Sequence, residues 1–135
     1  MRAIVIAIVA AFVPGLAWAQ TALEVVFAVR EHKEADGKRL PYRLLAPKDY
    51  RPAESYPLVI WMHGSGERGT DNRRQLTNVV AGAFLAEPAR TKYPCFVLVP
   101  QASLESGWMG AHLNKVADVT DTVRMLLATI VDLEK

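Results

Sequence analysis

The sequence predicts an α/β domain whose sheet is mostly parallel and carries helices on both faces. Two unbroken apolar runs, residues 58–62 (LVIWM) and 96–99 (FVLV), are typical of strands that are covered on both sides. Apolar residues after Asp71 recur at helical spacing, and those from 113 to 133 fit a long amphipathic helix. Helices that separate and follow buried strands indicate the α/β class.

The elements are predicted in the order β, β, β, loop, α, β, α. Residues 36–37 (DG) are a turn signal between the first two strands, and Pro47 ends the second. Thr70 or Asp71 can cap the first helix, which Pro88 closes. The predicted strands are residues 23–29, 42–46, 58–62 and 96–99.

The N-terminus has the features of a secretory signal peptide. Arg2 precedes an apolar run that Pro14 breaks, and residues 17–19 (AWA) supply a small-x-small cleavage pattern. Roughly eleven apolar residues are too few to cross ~30 Å of hydrocarbon, so we expect no membrane anchor after cleavage. We therefore predict a leader over 1–19, a mature domain over 20–135, and a secreted or periplasmic location.

Charge and cysteine content exclude several classes of protein. Lys and Arg number 16 against 14 Asp and Glu, with no basic cluster, so no nucleic-acid partner is expected. The single cysteine, Cys95, excludes an internal disulfide framework and a cysteine-based zinc site. Its apolar neighbours predict a buried, inert thiol in a strand.

The glycine-rich loop after the third strand, residues 63–69 (HGSGERG), matches two nucleotide-binding patterns poorly. Its glycines spell G-x-G-x-x-G, but the helix caps follow the last glycine, and Glu87 lies before the next strand instead of at its end. A phosphate-binding P-loop needs a lysine where Thr70 stands. No cofactor or metal is expected.

A third interpretation fits the position of the loop. A His-Gly turn leaving a central strand can point a backbone N–H at a developing oxyanion, and glycine lets a substrate approach the backbone closely.

Residues 40–108 resemble the N-terminal half of an α/β-hydrolase, in the exported carboxylesterase, phospholipase and predicted-peptidase branch related to dienelactone hydrolase. The resemblance implies a serine hydrolase that acts on small carboxylic esters without a cofactor. It also implies a spatial strand order of 1-2-4-3-5. The residues that carry it are 42–47 (YRLLAP), 56–69 (YPLVIWMHGSGERG), 71–72 (DN), 75–76 (QL), 93–94 (YP), 97–101 (VLVPQ) and 107–108 (GW).

Carried over to this sequence, the resemblance assigns roles within the loop. The backbone N–H of Ser65 is the first oxyanion donor, and that of Gly66 is the next. His63 holds the turn and is no catalytic base, while Gly64 and Gly69 shape the loop. Trp108 either lines the cleft or packs.

The catalytic triad of the family is missing from this sequence. The nucleophile pattern G-x-S-x-G does not occur, and no histidine follows a suitable serine. The residues considered for a triad are Ser55, Ser65, Ser103, Ser106, His32, His63 and His112.

We therefore expect the front, oxyanion-hole-bearing part of an exported serine hydrolase, truncated before the strand that bears the nucleophile. Such a chain would be inactive alone and prone to aggregate, because residues 58–62 would form a bare apolar edge. The alternative is a non-catalytic exported binding module that uses the glycine loop as an anion-binding nest.

Overall fold

A computed structural model describes residues 22–77, 82–109 and 119–134, so the predicted leader lies outside the described residues. Two short 3₁₀ turns follow the third strand. The strands are β1 (Ala28–Lys33), β2 (Arg39–Leu45), β3 (Leu58–Ile60) and β4 (Phe96–Pro100), the helices are α1 (Ala89–Lys92) and α2 (Asp121–Leu133), and the 3₁₀ turns are Ser65–Glu67 and Arg74–Leu76.

The four strands form one mixed sheet in the order β1-β2-β4-β3. This is the order that the resemblance implied for the first four strands. The prediction of a mostly parallel sheet is wrong for the described chain, since only β3 and β4 are parallel. The reason is the short connection at residues 34–38, where Gly37 (φ +88°) makes a hairpin turn that forces β1 to run antiparallel to β2.

The first strand begins later than the sequence predicted. Residues 22–26 are helical, and the Phe27 N–H donates to the carbonyl of Leu23 at 3.0 Å. This turn buries Phe27 in the core. The polar residues after Ala28 then join the strand, because backbone pairing with β2 holds them in place.

The helix predicted after the glycine loop is only partly described. The prediction of Thr70 or Asp71 as the cap is wrong for the turn Arg74–Leu76, whose N-cap is Arg73. Asp71 Oδ1 nevertheless accepts the N–H groups of Arg73 and Arg74 at 2.9 and 3.1 Å. The chain then enters the 3₁₀ turn Arg74–Leu76, and the predicted apolar positions 79 and 80 lie outside the described residues.

Pro88 precedes helix α1, so a second short helix intervenes before β4. The last predicted helix is observed as α2, and its predicted positions 113 and 116 also lie outside the described residues.

The core has two halves, one on each face of the sheet. Along β4, Val97 and Val99 point to one face and Leu98 points to the other, because side chains alternate along a strand. Helix α2 covers the face of Leu98. The first cluster contains Phe27, Leu45, Leu76, Val97 and Val99, and the second contains Leu40, Tyr42, Leu98, Met125 and Leu126.

Strand β3 is an edge of the described sheet, hydrogen-bonded only to β4. Ile60 is 37% exposed and Met62 is 44% exposed. The prediction of burial on both faces therefore holds for β4 and is wrong for β3. Within the described ranges, no helix combines the length and apolar character needed to cross a membrane.

Candidate functional site

The glycine-rich loop leaves the carboxyl end of β3 and enters the 3₁₀ turn Ser65–Glu67. Ser65 and Gly66 are exposed, and neither backbone N–H donates to any described residue. A Cβ built on Gly66 would meet nothing within 4 Å. Two adjacent free N–H groups with open space beside them can bind an anionic oxygen.

His63 holds the start of this loop with both ring nitrogens. The side chain is 3% exposed, and its Nε2 lies 2.9 Å from the backbone N–H of Ala102. Because Nε2 accepts that hydrogen, the proton must be on Nδ1, which donates to the carbonyl of Gly64 at 2.6 Å. Both ring nitrogens are therefore engaged in hydrogen bonds to the backbone, one at Gly64 and one at Ala102.

Trp108 contacts the same histidine. Its Nε1 donates to the carbonyl of His63 at 2.9 Å, and the two ring centroids are 5.0 Å apart. The half-buried indole packs against the core cluster under α2. In this arrangement Trp108 packs behind the loop, one of the two roles that the sequence left open.

Gln101, directly after β4, holds the segment around the glycine loop, although no role was predicted for it from the sequence. It is fully buried, and its Nε2 donates to the carbonyl of Glu67 at 3.1 Å and to Asp71 Oδ1 at 2.9 Å. Its Oε1 accepts the Asn72 N–H at 2.6 Å. One side chain thus joins both ends of the turn. A lone amide directly after an apolar strand was the available signal, since a buried amide needs several partners.

Gly69 is a glycine for a reason of space. A Cβ at this position would lie 3.1 Å from Gln101 Nε2, and the Gly69 N–H donates to the Ala102 carbonyl at 2.9 Å. A side chain would push Gln101 away from its partners. At Gly64 a Cβ would meet the flexible end of Glu67 at 3.3 Å, which is easier to relieve.

Charged groups behind the loop fix its far end. Burial acts to raise the pKa of Asp71, but hydrogen bonds from Gln101 and from the N–H groups of Arg74 and Arg73 outweigh it, so the pKa is lowered. Arg43, whose pKa is lowered by burial, donates Nε to the carbonyl of Asn72 at 2.7 Å.

The same guanidinium ties the loop to the N-terminal segment. Arg43 Nη1 donates to the carbonyls of Glu24 and Phe27 at 3.0 and 3.1 Å. Arg73 adds an ion pair to the Glu24 carboxylate at 2.7 Å.

The described residues contain no assembled triad. Ser103 and Ser106 share a hydrogen bond of 3.1 Å, and no described serine hydroxyl contacts a histidine. His32 lies 3.6 Å from Asp132, and His112 is outside the described residues. Among the described residues, no cluster of three or more His, Cys, Asp or Glu side chains could hold a metal ion.

Comparison with solved structures finds similarity to the crystal structure of a thermostable esterase, with a TM-score of 0.74 and 32% sequence identity. The alignment covers 82% of this chain and 31% of the esterase, so the chain spans about a third of that protein. No protein-family model and no curated protein matches. The likeness is consistent with an α/β-hydrolase-type fold.

Proposed function

We propose that this chain carries the oxyanion-hole part of an exported serine hydrolase that acts on carboxylic esters. The two free N–H groups of Ser65 and Gly66 carry the proposal. They follow β3 at the edge of a sheet that resembles part of an esterase. In acyl transfer, such donors stabilise the charge that develops on the carbonyl oxygen.

The supports of the loop favour a preorganised site. His63, Gln101 and Trp108 fix the turn through hydrogen bonds to its backbone or to their shared neighbours. A donor that is already in place does not have to reorganise when the oxyanion forms. The serine, acid and histidine that perform the chemistry would come from polypeptide outside the printed sequence, which contains no G-x-S-x-G.

The first experiment is to read the coding sequence past the codon for Lys135. A strand running into G-x-S-x-G supports the proposal, and hydrolysis of 4-nitrophenyl butyrate by the full-length protein would establish it. A stop codon directly after Lys135 would contradict it.

The Gly66→Val variant tests whether a substrate must reach the two N–H groups, without disturbing the folding of the loop. Because open space surrounds Gly66, the valine is accommodated and its methyl groups occupy the approach to the two N–H groups. We expect the full-length enzyme to lose about 10²-fold or more in kcat/KM, the cost of one oxyanion donor, with unchanged thermal unfolding. Gly82→Val, also in open space, is the matched control. Equal activity of the two variants would contradict the assignment.

An anion-binding module is the second candidate, because the same free N–H groups can form a nest. A binding module should bind inorganic phosphate saturably as the 135-residue chain. Treatment with a fluorophosphonate should leave this binding unchanged. The hydrolase proposal predicts no such binding at millimolar phosphate.

Export is part of the proposal and rests on the leader pattern over residues 1–19. Expression in a bacterial host with mass spectrometry of the periplasmic fraction tests it. The expected mature chain begins at Gln20, and an intact Met1 in the cytoplasm would contradict export.

A further inference from the structure

A separate cavity lies at the opposite end of the sheet from the glycine loop. It has a volume of about 710 Å³ and is lined by residues that precede β3 and β4, including Pro57 and Pro94. The glycine loop and Gln101 follow those same two strands. Since β3 and β4 are parallel, the cavity lies at the N-terminal ends of these strands and the glycine loop lies at their C-terminal ends.

The walls of the cavity are largely apolar. Val59, Phe84 and Cys95 line it and pack against the core cluster of Val97. Burial raises the pKa of the Cys95 thiol, which keeps the thiol neutral. The prediction that Cys95 is buried within a strand is wrong, because the residue is half-buried and precedes β4. The volume falls in the range of about 300–1,000 Å³ that accommodates small organic ligands.

Two of the basic side chains near this cavity form ion pairs with described acidic residues, and a third does not. Lys48 pairs with Glu87 at 2.8 Å, and the lining residue Glu54 pairs with Arg51 at 3.0 Å. Arg90 lines the cavity, yet the structure gives its side chain no hydrogen bond or ion pair with any described residue. Its Nε is buried without an acceptor among those residues, so the guanidinium is only partly compensated by its surroundings.

We propose that this cavity binds an organic monocarboxylate with an apolar chain or ring. The Arg90 guanidinium takes the carboxylate, because its planar N–H groups match the two oxygens. The walls at Val59 and Phe84 take the apolar part. The site is independent of the proposed hydrolase function, since it shares no residue with the glycine loop.

The test uses 11-(dansylamino)undecanoic acid, whose fluorescence rises in an apolar site, and its methyl ester. We expect saturable binding of the acid by the unchanged chain and at least tenfold weaker binding of the ester, which keeps the apolar body and loses the charge. Equal binding of acid and ester, or no binding of either, would overturn the proposal. This comparison needs no variant, so it decides the matter even if a substitution prevents folding.

Two arginine variants locate the carboxylate. Arg90→Gln should weaken binding of the acid by about tenfold or more, as expected for loss of a charge-assisted hydrogen bond, while leaving the ester unchanged. Arg51→Gln is the matched control, because Arg51 lies nearby but is already paired with Glu54. If Arg51→Gln weakened binding as much as Arg90→Gln, the anion would not be held by Arg90.

A third variant tests the apolar body of the site. Ala83 is exposed and lines the cavity, so Ala83→Trp places an indole in the open volume. We expect the loss of probe binding with unchanged circular dichroism. Retained binding by a folded Ala83→Trp chain would show that the probe occupies some other surface.

Discussion

At the scale of single residues, the shape of the glycine loop depends on buried polar groups that belong to other elements. Buried Gln101, directly after β4, makes one hydrogen bond to Glu67 in the loop and two to Asp71 and Asn72, which follow it. Removing one partner from such a network leaves the other groups unsatisfied, which costs more than the bond itself contributes.

Gln101→Leu should therefore lower the free energy of unfolding by about 2–4 kcal/mol, because the Asn72 N–H and the Asp71 carboxylate lose their partner. Urea denaturation measures this change. The matched control is Gln75→Leu, since Gln75 is equally buried but donates a single bond, to Asn72, and its Oε1 has no partner among the described residues. A cost for Gln75→Leu as large as that for Gln101→Leu would mean that burial of the amide, not support of the loop, sets the effect.

The lowered pKa of Asp71 predicts an acid-sensitive loop. A carboxylate with a pKa lower in the folded chain adds stability above its unfolded pKa of about 3.8–3.9, and this stability disappears as the pH falls through the folded value. Asp71→Asn keeps an acceptor but cannot be protonated there, so its stability should fall less between pH 5 and about pH 3. Asp49→Asn, which changes a carboxylate without described hydrogen bonds, should behave as the unchanged chain does.

At the scale of elements, the cap of α2 connects the helix to Trp108, which contacts His63 at the start of the glycine loop. Thr120 Oγ1 accepts the Val123 N–H at 3.3 Å and donates to the carbonyl of Trp108 at 2.9 Å. Thr120→Ala should cost about 1–2 kcal/mol of stability in thermal or urea unfolding, the usual range for loss of an N-cap. Thr120→Ser keeps the hydroxyl and should cost much less, and an equal loss in both would assign the effect to the methyl group.

The two edge strands of the described sheet differ in how they resist pairing with other chains. Strand β1 carries charged side chains at Arg30, Glu31 and Lys33, whereas β3 is the apolar sequence LVI. An open apolar edge is a site for self-association. Ile60→Lys should lower light scattering at high concentration, and Val29→Lys on the charged edge should change it little. If both variants scattered as the unchanged chain does, β3 would not be the contact.

At the scale of the whole molecule, sequence patterns predicted the features that are set by residues close together in the chain. Continuous apolar runs located β3 and β4, and the His-Gly turn located the loop. The turn signal at residues 36–37 could have predicted the antiparallel pairing of β1 with β2, whereas the antiparallel pairing of β2 with β4 depends on contacts that a strand-by-strand pattern does not contain. Gln101 was not assigned a role because its partners lie 29 or more positions away along the chain.

The bonds between Arg43 and the backbone around Glu24 set a limit on how the N-terminus can be processed. The carbonyls of Glu24 and Phe27 and the carboxylate of Glu24 satisfy two arginines that stand behind the glycine loop. A protease that trimmed the chain past Phe27 would remove two carbonyl acceptors from buried Arg43 and the ion-pair partner of Arg73. The cleavage after Ala19 that we propose would leave these contacts intact, whereas cleavage after Phe27 would remove them from behind the glycine loop.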